Sequence, residues 1–115
     1  MLKKVSFIYK GKKFDIGARS CNSFRKFLGL MFSRRKKAEA LLFDFKKPVD
    51  FRIHSFFVFF PFVAVWLDEK NKVIEAKKVR PFALSVGAKK PFAKLVEIPI
   101  NRKYSKNIKS LFSRR

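Results

Sequence analysis

The sequence predicts an α+β domain that is mostly antiparallel β-structure, a sheet or partly open barrel, with one early helix at about 22–32 and one C-terminal helix at about 103–112. Three observations predict it. Several stretches alternate apolar and polar residues with a period of two, the mark of strands with one buried face. The period lengthens to that of a helix in two places. Strands do not alternate with helices in the way that builds a parallel sheet.

Taken in order, Val5, Phe7 and Tyr9 alternate with Lys4, Ser6 and Lys10, which predicts a first strand. Lys10-Gly11-Lys12 reads as a turn and Lys13–Gly17 as the returning strand of a hairpin. Phe24, Phe27, Leu28 and Met31 then fall at i, i+3, i+4 and i+7, with Asn22 or Ser23 placed to cap a helix. Leu41–Phe45 reads as a strand and Lys46-Lys47-Pro48 as a turn. Phe51–Ile53, Phe56–Phe60 and Phe62–Leu67 follow as short apolar strands, the last two meeting at Pro61. Asp68–Asn71 is a four-residue hairpin loop leading into a strand from Lys72 to Val79. A longer loop from Arg80 to Pro91 precedes the alternation Lys94-Leu95-Val96-Glu97-Ile98, which stops at Pro99. Tyr104, Ile108, Leu111 and Phe112 then lie at helical spacing, giving an amphipathic helix with a basic face. These are about eight short strands and two helices, with no repeat or low-complexity tract, so residues 1–115 are expected to form a single domain.

Composition narrows the function. Of the 115 residues, 48% are hydrophobic and 16 are Phe, too apolar for a disordered basic tail. Lys and Arg number 29 against 8 Asp and Glu, a net charge of +21. The single cysteine, Cys21, excludes an internal disulfide, and the single histidine, His54, excludes a multi-histidine metal site. No cofactor or metal is expected. The longest apolar run, Ser55 to Leu67, falls short of the roughly 20 residues of a spanning helix and contains Pro61. The first ten residues lack the apolar core of a signal peptide, so an intracellular, cytoplasmic location is expected.

Several segments in order resemble a known family. Gly29-Leu30-Met31-Phe32 followed by Leu41–Phe45 resembles its helix end and next strand. Ile53-His54-Ser55-Phe56, Phe60-Pro61 and Val65-Trp66-Leu67-Asp68 resemble its central signature, and Lys72–Glu75 and Leu95–Pro99 its later strands. On these residues the chain resembles domain-of-unknown-function family 192, small bacterial and archaeal proteins, over about residues 5 to 112. The resemblance implies a compact, mostly β domain with no established activity. The family pattern usually has Gly, a polar residue and Asp where this chain has Phe57, Phe59 and Val63, and a terminal Gly-Asp strand where this chain is Lys-rich. The resemblance thus implies a divergent member, in which the polar positions of any family site are replaced by apolar residues.

Three groups could carry chemistry. His54, the one side chain titrating near neutrality, could form a signature pocket with Asp68, binding a small ligand or acting as a base. It could equally be a core-edge histidine bonded to backbone. Cys21 precedes the expected helix cap, where a thiol's pKa falls, but a small buried residue is the commoner outcome. The basic clusters have the most physical force, because neutralising several phosphates releases counterions and gives affinity without sequence preference. The expected partner is therefore nucleic acid, contacted along its backbone by Arg34, Arg35, Lys36 and Lys37 and by Arg102, Lys103, Lys106, Lys109, Arg114 and Arg115. The alternatives are a solvated basic surface, or docking of the last helix on an anionic membrane or a protein. A binding module is expected rather than an enzyme.

Overall fold

The opening alternation folds as a two-residue hairpin. In the computed structural model, which describes residues 2–21, 38–53, 58–83 and 85–113, β1 (Leu2–Tyr9) and β2 (Lys12–Ser20) pair antiparallel from Leu2↔Arg19 to Tyr9↔Lys12. Both turn residues have positive φ, 52° at Lys10 and 78° at Gly11, as a hairpin turn matching the strand twist requires. Val5 and Phe7 face inward beside Phe14, Ile16 and Ala18, and the Phe7 and Phe14 rings stack at 5.4 Å.

β3 (Ala40–Val49) corrects the antiparallel expectation. It pairs parallel with the end of β2, through Ala18↔Ala40, Arg19↔Leu41 and Ser20↔Leu42, so the sheet is mixed. The chain between Ser20 and Ala40 has the dozen or more residues a parallel crossover needs. The helix expected at about 22–32 lies in this crossover, outside the described residues.

The other pairings are antiparallel. β3 pairs with β6 (Phe92–Pro99), β6 with β4 (Phe62–Leu67), and β4 with β5 (Val73–Val79), giving the order β1-β2-β3-β6-β4-β5. The turn expected at Lys46–Pro48 is instead an irregularity within β3. The register with β6 shifts between Asp44 and Val49, Lys46 has φ 62°, and the Lys46 N–H donates to Asp44 Oδ1 at 2.9 Å. Of the strands expected before Pro61, Ile53 forms only a two-bond bridge with Val86, both bonds 2.8 Å, and Val58–Phe60 pairs with no strand. Six strands therefore stand, among the described residues, where eight were expected.

The sheet curls into a half-barrel. At one end its edges meet, with a bridge between Ile8 and Lys72 and a bond from Asn71 Nδ2 to the Ser6 carbonyl at 3.2 Å. The concave face holds Phe7, Ile16, Leu42, Val63, Val65, Leu67, Val96 and Ile98. The outer face of β3, β6, β4 and β5 holds a second core of Leu41, Phe43, Ala64, Trp66, Phe92 and Leu95, with Val58, Phe60 and Val86 from the loops packed on it. Ile53, Val58 and Phe60 from the expected short strands cover this outer face, which needs apolar side chains but no sheet pairing.

A 3₁₀ turn (Arg102–Tyr104) leads into α1 (Ser105–Phe112), in agreement with the expected C-terminal helix. Tyr104, Ile108 and Leu111 insert into the concave core. Phe112 departs from the expected apolar stripe: it is exposed, with Lys78 Nζ 5.0 Å above its ring. No described helix is long and apolar enough to cross a membrane.

The Tyr104 hydroxyl accepts from the Ala40 N–H at 2.8 Å and donates to the Gly17 carbonyl at 3.2 Å. These groups sit beside the first parallel pair, Ala18↔Ala40, so the hydroxyl completes the ladder where β2 and β3 diverge and fastens the helix to the sheet. Removing it orphans a buried N–H, which costs about 1–3 kcal/mol. Tyr104→Phe should lower the urea midpoint by a corresponding amount at unchanged m-value, measured by equilibrium unfolding.

Candidate nucleic-acid interface

The basic residues of the two chain ends meet at α1. Ile108 and Leu111 turn one side of this helix to the core, which leaves Lys106 and Lys109 exposed. Lys12, at the start of β2, reaches across so that its Nζ donates to the Ser110 carbonyl at 3.3 Å and to the Ser113 hydroxyl. A cation there satisfies carbonyls that a helix end leaves open and opposes the negative end of its dipole. Lys12, Lys13, Lys106, Asn107 and Ser110 line a crevice of about 300 Å³ between hairpin and helix. Lys13 and Lys106 are exposed on it, two solvent-facing cations beside the one that holds the helix end.

The sequence-predicted basic residues divide by environment. Arg102, Lys106 and Lys109 are exposed. Lys103 turns to Glu39, 3.4 Å away, and Glu39 also takes the Arg19 guanidinium. The Arg19 hydrogen bond chiefly, and Lys103 next among the favourable contacts, hold the Glu39 carboxyl below its usual range. Part of the Lys103 charge is thus neutralised within the molecule. Arg34, Arg35, Lys36, Lys37, Arg114 and Arg115 lie outside the described residues. Lys12 and Lys13 belong to the β1–β2 hairpin, and their meeting with Lys106 across 93 residues or more of chain is a product of the fold.

The other expected pair is His54 and Asp68. His54 lies outside the described residues. Asp68 closes the β4–β5 turn: its Oδ1 accepts from the Lys70 N–H at 2.8 Å and the Lys72 N–H at 2.9 Å, while its backbone bonds to Lys72 and Asn71. The Lys72 backbone bond, more than any other contact, holds its carboxyl below the ordinary range. Asn71 completes the turn at φ 64°, a conformation Asn tolerates. Cys21 is buried, its Sγ 3.7 Å from the Arg19 carbonyl, so its thiol is not presented to solvent. Among the described residues no three His, Cys, Asp or Glu side chains cluster as metal ligands would.

Sequence reasoning missed two buried polar groups on the outer face. The sequence marks Lys94–Ile98 only as an alternating strand, in which a charged residue such as Glu97 would ordinarily face water. It lies instead between Ala64 of β4 and Leu41 of β3, 7% exposed, with no hydrogen bond from any described residue. Trp66, two residues along β4 from Ala64 on the same face, has a buried Nε1–H with no acceptor among the described residues. The available signal was that β4 is apolar at every position, which requires both sheet faces to be covered.

Burial pushes the Glu97 carboxyl up to about 7. The folded chain therefore holds a proton that the unfolded chain, titrating near 4.5, has released. Between these values the native state binds more protons, so stability falls as pH rises. The contribution is whole below about 4.5 and lost above about 7, of order 3 kcal/mol across the window. Urea unfolding between pH 5 and 8 should show this decline, and Glu97→Gln should flatten it and be the more stable protein at pH 8.

Comparison with known proteins gives a family and a fold. The DUF192 family model, described as Uncharacterized ACR, matches residues 11–110. No curated protein matches the chain. Two solved structures are similar to it. One, from Sinorhizobium meliloti 1021 and described as a "putative transcription regulator", has 16% identity and a TM-score of 0.72, over 89% of this chain and 81% of that one. The other, a protein of unknown function from Novosphingobium aromaticivorans DSM 12444, has 15% identity and a TM-score of 0.72, over 91% of this chain and 77% of that one.

Proposed function

The chain belongs to the DUF192 family, and from that premise we propose that it is a non-enzymatic module binding nucleic acid along the phosphate backbone, without reading sequence, through Lys13, Arg102, Lys106 and Lys109. The observation that carries this is the crevice where exposed Lys13 and Lys106 converge beside Lys12, in a chain of net charge +21. Cations on a helix face and a hairpin end reach phosphates at the surface of a polyanion, whereas base reading needs an element inserted in a groove. At 16% identity the Sinorhizobium relative shares a fold and lends no function, so the charge distribution has to support the proposal by itself.

Binding through four such cations releases about four counterions. Log affinity against log salt should then fall with a slope of about −4 on duplex DNA. A fluorescent 20-mer titrated across ionic strength measures it. Changing Lys13 and Lys106 together to Ser should make the slope shallower by about 2, with little change between sequences. Absence of binding at low salt, or a slope the double variant leaves unchanged, overturns the proposal.

A further inference from the structure

Among the described residues, Phe7, Phe14, Phe43, Phe60, Phe62 and Phe92 lie in the two cores, whereas Phe59 and Phe82 are the most exposed phenylalanines. Phe59 is 60% exposed and Phe82 50%, and their rings meet edge to face, centroids 5.5 Å apart at 75°. Phe82 also holds φ 60°, a left-handed conformation that bulky residues rarely adopt. The pair therefore stands out from both cores, one ring on a backbone that favours a smaller residue. Beside it lies an open groove of about 920 Å³ lined by Pro61, Lys78, Arg80, Phe82, Ser85 and Val86. Lys78 lies over the ring of Phe112, at the end of α1. The groove thus combines exposed aromatic rings with cations and adjoins the helix that carries Lys106 and Lys109.

We propose that this groove binds single-stranded nucleic acid, with unpaired bases stacking on Phe59 and Phe82 while Lys78 and Arg80 meet the adjoining phosphates. Charge complementarity selects the occupant, because two aromatic rings flanked by Lys78 and Arg80 fit a strand that alternates anionic phosphates with flat apolar bases. A single strand is required, since paired bases are stacked on each other and offer no face to a protein ring. The inference rests on the phosphate-binding function proposed above and assigns it a preferred form of nucleic acid.

The test uses the full chain and fluorescence anisotropy at one ionic strength. The probes are a dT 20-mer, an abasic 20-mer of equal charge, a 20-bp duplex and a poly-glutamate peptide. The dT 20-mer should bind at least tenfold more tightly than the abasic strand. Phe59→Ala with Phe82→Ala should abolish that difference and leave abasic and duplex binding unchanged. Phe82→Trp should keep the preference. Phe82→Leu, which preserves apolar bulk without a ring, should weaken it, and this variant decides the matter if circular dichroism shows the double variant unfolded. Equal affinity for dT and abasic strands overturns stacking while leaving phosphate binding in place. Failure to bind any of the nucleic acids overturns both proposals. Poly-glutamate binding that matches dT and is lost with the two rings identifies an acidic protein partner and overturns the single-strand assignment.

Discussion

Everything in this fold is arranged around a strand buried on both faces. All six residues of Phe62–Leu67 are at most 1% exposed. Val63, Val65 and Leu67 point into the concave core, and Phe62, Ala64 and Trp66 into the outer one. A segment so apolar can only be accommodated between two hydrogen-bonded neighbours with cover above and below, because any exposed face would leave large apolar area in water. That requirement places β5 and β6 on its flanks. It curls the sheet around the concave core and draws the loops containing Val58, Phe60 and Val86 across the outer face.

The concave core closes with α1, and a single hydroxyl registers the helix against the sheet. Tyr104 joins β2 and β3 where their parallel pairing begins. The same placement sets the helix against the β1–β2 hairpin, so Lys12 can bind its last turn and Lys13 can stand opposite Lys106. The packing that stabilises the half-barrel therefore also gathers positive charge from both ends of the chain. With so few carboxylates to pair, most of the described cations remain exposed to water, where they keep molecules apart and attract anions over a Debye length of about 8–10 Å.

The acidic residues report their surroundings more sharply than the basic ones. Asp68 is ionised and spent on a turn, since two backbone N–H groups stabilise its charge. Glu97 is the reverse: flanked by Ala64 and Leu41, it loses hydration and no described partner replaces it, so the neutral form is favoured. The two carboxylates differ little in chemistry, and their behaviour comes entirely from location. A buried carboxyl on the same face as an indole N–H without a partner among the described residues is an inefficient use of a core. It lowers the stability of the fold as pH rises toward neutrality.

Local signals made much of this legible. The β1–β2 hairpin follows from strict alternation about Gly11, the β4–β5 hairpin from an Asp–Asn turn, and α1 from the spacing of Tyr104, Ile108 and Leu111, each set by neighbours a few residues apart. Family membership was legible for the same reason, through short segments in order. Pairings between distant segments were not. The parallel join of β2 to β3, the continuation of β3 past Lys46, and the use of Ile53, Val58 and Phe60 as cover rather than sheet strands depend on which faces meet in three dimensions. The candidate site divides in the same way. The sequence by itself determined that the chain is strongly basic, rich in aromatic residues and built mainly of strands. Only the tertiary structure decided that Lys13 stands across from Lys106, that Phe59 and Phe82 face water beside Lys78, and that Glu97 does not, because periodicity tells one face of an element from the other but not what covers it.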